Sequence, residues 1–81
     1  MENKVDNVNH PSHYNQFRQE VLDTIEDWTM EYSLGYVAYC IGNVMKYIAR
    51  APFKHSSPLE DLEKAEFYLR KAIEKQRSQE G

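Results

Sequence analysis

Asn43, Lys46 and Arg50 stand at i, i+3 and i+7 in the run Gly42-Asn43-Val44-Met45-Lys46-Tyr47-Ile48-Ala49-Arg50-Ala51. On a helix these three share one face, and Tyr47 lies beside them. An amide, an ammonium, a guanidinium and a phenol are what an anionic, ring-bearing ligand such as a nucleotide requires. A weaker copy follows downstream, where Asp61, Lys64 and Tyr68 again fall at i, i+3 and i+7, with Lys71 next to them. If the two segments are helices packed antiparallel, the stripes flank one cleft. Lys46, Arg50, Lys64 and Lys54 would then hold phosphate or carboxylate oxygens, Arg through a bidentate fork and Lys as point charges. Asn43 would fix a sugar hydroxyl or a base edge, and Tyr47, Tyr68 or Tyr14 would stack on a base. The plainer alternative is a solvated face, with Asp61 paired to Lys46 or Arg50 and Lys64 and Glu60 as ordinary exposed charges.

Other chemistry-bearing residues are fewer. His10 and His13 bracket Pro11 and Ser12; such a pair binds metal only with a third ligand from Glu20, Asp23 or another subunit. We therefore expect no metal site there, and instead imidazoles that donate to an anionic ligand. Glu20, Asp23 and Asp27 resemble the carboxylate helices that hold magnesium over a triphosphate, but no second acidic helix matches them, and a solvated acidic face fits better. No GxxxxGK[ST] loop occurs, which excludes a conventional P-loop phosphotransferase. No Ser/His/Asp or Cys/His arrangement points to nucleophilic catalysis. Cys40 is the single cysteine, which excludes an intramolecular disulfide; in phase with apolar neighbours, it reads as a core residue.

The balance of charge narrows the partners. Ten Lys and Arg against 13 Asp and Glu give a net charge of −3, which argues against long nucleic acid and anionic membrane. Between Glu31 and Glu60 there is no acid, while Lys46, Arg50, Lys54 and His55 lie there. A basic window in an acidic chain favours a small anion over a polyanion. No stretch approaches the ~20 apolar residues that span a bilayer, and no signal-peptide pattern opens the sequence. The expected location is the cytoplasm.

These side chains must be placed by helices. Phe17, Val21, Leu22, Ile25 and Trp28 predict a first helix over about Phe17–Trp28. Leu34, Val37, Ala38, Ile41, Val44, Met45 and Ile48 predict a second over Ser33–Ala51, capped by Ser33 and ended by Pro52. Gly35 and Gly42 share a face there and suggest close approach of another helix or of a ligand. Ser57-Pro58-Leu59-Glu60 combines Ser at the N-cap, Pro at N1 and Glu at N3, which starts a third helix. Its stripe Leu59, Leu62, Ala65, Leu69, Ala72 and Ile73 carries it to about Lys75. The reading is an all-α, three-helix domain over residues 17–75, an extended N-terminal arm over 1–16 and a frayed tail over 76–81. A chain of 81 residues buries only about 60% of its unfolded surface. With no disulfide or metal and ten aromatic residues, six of them Tyr, a homo-oligomer is expected.

The words of the sequence also resemble a known family. Val8-Asn9-His10-Pro11-Ser12-His13-Tyr14, Glu20-Val21-Leu22-Asp23, Gly42–Ala51 and Leu59-Glu60-Asp61-Leu62-Glu63-Lys64-Ala65-Glu66-Phe67-Tyr68-Leu69 look like the SaV-like small phage and prophage proteins, over about residues 8–75. The motif positions are His10, His13, Tyr14, Glu20, Asp23, Asn43, Lys46, Tyr47, Arg50, Asp61, Lys64 and Tyr68. The resemblance implies a phage-type protein acting in the host cytoplasm. It also implies a link to nucleotide kinases, since a similar domain occurs in a longer coliphage enzyme that phosphorylates deoxynucleoside monophosphates without a Walker motif.

Three functions remain open. The first is nucleotide binding in a helix-lined, intersubunit site, in one version to sequester a host nucleotide signal. The second is a non-Walker nucleoside monophosphate kinase, which would need Mg2+ and a carboxylate such as Asp23 or Asp61 as metal ligand or base. The third is a protein-interaction module that inhibits a host enzyme through its aromatic surface.

Overall fold

A computed structural model describes the backbone of residues 12–54 and 56–81. Helix α1 spans Ser12–Thr29, α2 spans Gly35–Arg50, a 3-10 turn spans Ala51–Phe53 and α3 spans Leu59–Glu80. No strand occurs among the described residues, so the all-α reading holds. Ser12–Gln16, expected in the arm, instead open α1. The reason is that Pro restricts the residue before it but is tolerated at the very start of a helix. At the other end α3 continues to Glu80, through the residues expected as a tail. Gln76 donates to Glu80 at 2.9 Å in that last stretch. Residues 1–11, including His10, lie outside the described residues, as do the His13 and Tyr14 side chains.

The helix starts follow local chemistry to differing degrees. At α3, Ser57 Oγ accepts the Leu59 N–H at 3.0 Å, and Pro58 has helical backbone angles. The Ser-Pro start signal therefore works as read, within the one-residue uncertainty of a helix boundary. Helix α2 instead begins at Gly35, with Leu34 at its N-cap in an extended conformation and no side-chain cap bond. Ser33 does not cap it.

Helix α2 is central. Arg50 meets Asp61, Tyr47 stacks on Tyr68, and Val37 and Cys40 cluster with Ala72, so α2 and α3 run antiparallel. On the opposite side Phe17 touches Phe53 while Ile25 and Thr29 approach Gly42, so α1 is also antiparallel to α2. No Cα of α1 comes within 8 Å of one in α3. The result is a single layer of helices with extents of 55 × 28 × 10 Å, about one helix thick. Its radius of gyration is 15.7 Å, against roughly 12 Å for a compact domain of this length.

The buried hydrophobic residues are Val37, Cys40, Ala51, Ala65 and Ala72. All are small or medium, so α2 and α3 meet along a narrow seam. The apolar series of α2 does not act as one core stripe. Val37 faces α3 and Ala38 lines the α1 side, while Ile48 remains half exposed. Gly42 faces α1, where an added Cβ would sit 3.4 Å from Ile25 Cγ2, an ordinary contact, and nothing lies within 4 Å of one at Gly35. Neither glycine is therefore required by close helix approach.

Candidate functional site

The expected polar residues do converge, though not around an open α2–α3 cleft. Tyr47 and Tyr68 close that seam by stacking on each other, with centroids 5.9 Å apart and planes 15° off parallel. Tyr39 adds an edge contact to Tyr68 at 6.1 Å. Three cations gather at the Tyr47 ring: Lys46 Nζ at 4.8 Å, Arg50 Cζ at 5.3 Å and Lys64 Nζ at 5.5 Å from its centroid. Each such contact contributes about 0.5–1 kcal/mol at an exposed site. Hydrogen bonding of the protonated Tyr68 hydroxyl to the Tyr39 phenol, then the charge of Tyr39, pushes Tyr68 above its ordinary range.

Asp61 is fully buried and belongs to the scaffold. Its Oδ2 accepts Arg50 Nε at 3.2 Å, while Lys54 Nζ lies 3.9 Å from Oδ1. Oδ1 itself has no hydrogen-bond partner. Lys54 and Lys64 both reach Glu60, at 3.5 and 3.6 Å. The alternative pairing of Asp61 with Arg50 is thus realised, together with the convergence of Lys46, Tyr47, Arg50, Lys54, Lys64 and Tyr68. Asn43 sits beside Lys46, and its Nδ2 donates to the Tyr39 carbonyl at 3.0 Å. It lines a shallow groove of about 450 Å³ against Ile25 and Thr29 of α1.

A second groove, about 420 Å³, runs between α1 and α2. Arg18, Lys46, Arg50 and Lys54 line it with Phe17, Val21, Leu22, Ile25, Ala49 and Phe53, and among the described residues no acid does. Phe17 and Phe53 meet at 5.6 Å, tilted by 53°. Sequence reasoning missed Arg18, Phe17 and Phe53 as site residues. A signal was present for Arg18, which stands three and seven residues before Val21 and Ile25 on the inner stripe of α1. A cation in phase with apolar positions must either snorkel or serve a groove. Among the described residues neither Arg18 nor Lys46 has an ion pair.

The acids of α1 lie apart. Glu20 and Asp23 are exposed and accept from Gln16 at 3.3 Å and Gln19 at 3.1 Å, one turn earlier. Among the described residues no group of three His, Cys, Asp or Glu is placed to hold a metal ion, and no helix is long and apolar enough to cross a membrane.

Comparison with known proteins adds one finding. A family model described as a protein of unknown function, DUF3310, matches residues 8–70. The chain belongs to the DUF3310 family. No curated protein and no solved structure matches it. The span shared with DUF3310 holds α1, α2, the 3-10 turn and α3 as far as Arg70. It therefore contains the four groove cations, both phenylalanines and the Tyr47–Tyr68 stack.

Proposed function

We propose that this DUF3310 chain is a binding protein for a phosphate-bearing small ligand, in the first instance a nucleotide, held in the α1–α2 groove. The observation that carries the reading is the lining: four cations and, among the described residues, no acid, in a chain of net charge −3. A volume of about 420 Å³ falls within the range of small-molecule sites. Lys46 and Arg18, both without carboxylate partners, supply donors ready for phosphate oxygens. Phe17, Phe53 and Leu22 supply an apolar wall for a base. The likeness to small phage proteins, with action in the host cytoplasm, adds a role: the ligand is a host nucleotide signal and the chain sequesters it. Binding without turnover suits the lining, because a kinase needs a carboxylate base or metal ligand at the phosphates. The nearest buried carboxylate, Asp61, is engaged by Arg50.

The test is a thermal-shift and mass-spectrometric screen of the purified protein against mono-, di-, tri- and cyclic nucleotides, with and without Mg2+. At least one nucleotide should raise Tm, and Lys46→Ala and Arg18→Ala should each remove most of that rise. Silence across the panel, or variants that bind like the wild type, would end the reading. A nucleoside diphosphate formed from a monophosphate and a triphosphate would transfer the site to the kinase alternative; ligand recovered unchanged would support sequestration.

A further inference from the structure

The two faces of the helical layer are chemically opposite. Lys46, Arg50, Lys64, Tyr47 and Tyr68 come together on one of them. Two residues along a helix turn the side chain by about 200°, to the other side. Ile48 stands two residues from both Lys46 and Arg50. Leu62 stands two before Lys64, and Leu69 and Ile73 flank Lys71 at the same distance. On α2, Leu34 and Ile41 precede Ile48 at seven-residue steps and so share its face. Ile48, Leu62, Leu69 and Ile73 are all exposed. Trp28 of α1, three residues after Ile25 and seven after Val21, stands on the α2-facing stripe of α1, is 59% exposed and lines neither groove. The Glu66–Arg70 ion pair lies at the rim of the exposed apolar face.

We infer that a second copy of this chain packs on the face formed by Ile48, Leu62, Leu69 and Ile73, beside Leu34 and Ile41, which are partly buried against Val37, Cys40 and Ala72. Helices build stable domains in two or more layers around a shared core, and this chain supplies one layer. An apolar centre with charge only at its rim is self-complementary, as a two-fold interface must be. Residues 1–11 contain only Met1, Val5 and Val8 as apolar side chains, too few to cover the face. Among the described residues only five hydrophobic ones are buried, which is a small core for a chain that must stay folded alone, and a second copy is present wherever the chain is made. The basic groove then opens on the outer surface of the pair, complete within one chain.

The inference stands apart from the ligand reading, and its test uses no ligand. Light scattering and sedimentation of the full chain should give a dimer or an even-numbered multiple, with Tm rising as protein concentration rises. Ile48→Ala should raise the dimer dissociation constant at least tenfold, read by dilution in sedimentation. Lys46→Glu, on the opposite face, should leave the mass unchanged. A monomer at high concentration overturns the proposal. An assembly indifferent to Ile48→Ala and Leu69→Ala, or dissociated by Lys46→Glu, overturns it equally. If Leu69→Ala unfolds, the Ile48→Ala measurement still decides.

Discussion

Arg50 Nε donates to Asp61 Oδ2 at 3.2 Å, joining the last residue of α2 to the first turn of α3 across the intervening loop. The carboxylate is fully buried, while the guanidinium side chain is 47% exposed. Asp61 also sits at the N-terminal end of α3, where negative charge is favoured by the helix dipole. The bond therefore fixes the hairpin and, at the same time, aims the rest of Arg50 toward the α1–α2 groove.

Asp61→Asn keeps the shape and removes the charge, and Arg50→Ala strands a buried carboxylate. Each should cost about 1–3 kcal/mol in urea denaturation, the larger loss falling on Arg50→Ala. Lys46→Ala should stay within about 0.5 kcal/mol of the wild type. A loss of binding in Lys46→Ala consequently reports on the groove, whereas the same loss in Arg50→Ala mixes binding with stability.

Tyr68 and Tyr36 predict the alkaline limb of stability. Tyr39 raises the Tyr68 phenol, chiefly by hydrogen bonding, and burial raises Tyr36, with Cys40 contributing next. The folded chain thus holds both protons more tightly than the unfolded chain does. Their contribution is complete below the ordinary phenol value of 10.0 and is lost as pH rises through the raised values. Tyr68→Phe should make the fall of Tm above about pH 10 shallower, with little change in slope near neutrality.

Gly42 offers a stabilising change. Its added Cβ would rest in ordinary contact with Ile25 and Thr29, and Ala gains up to about 1 kcal/mol over Gly inside a helix. Gly42→Ala should raise Tm, while Gly42→Leu should lower it by pushing α1 off α2. A Tm lowered by Gly42→Ala would mean that α1 sits closer than these distances.

Salt should weaken nucleotide binding in a graded way, because the groove cations are partly exposed. Affinity measured by calorimetry should fall several-fold between about 0.02 M and 0.2 M NaCl. Lys71→Ala, which lies outside the groove and pairs with Glu74 at 3.7 Å, should not alter that slope.

Helix identity was legible because apolar spacing and the Ser57-Pro58 start are local signals. The placement of Asp61 was legible only as one of two options, since spacing puts it on a stripe without saying whether that stripe meets solvent or α2. The groove was half legible. Lys46, Arg50 and Lys54 come from one acid-free window, but Arg18 and Phe17 reach them only through α1–α2 packing, a contact between residues about thirty apart in sequence. The division of the α2 apolar series into opposite faces was hidden for the same reason, because a helix with neighbours on two sides looks like one with a single broad core face.

Cys40 lies at zero exposure in the seam beside Val37 and Ala72. No reagent can reach this only thiol until α2 and α3 part. The rate at which a small alkylating agent modifies it is therefore a clock for hairpin opening, read without any introduced label. Anything that clamps the hairpin should slow that clock, and Asp61→Asn should speed it.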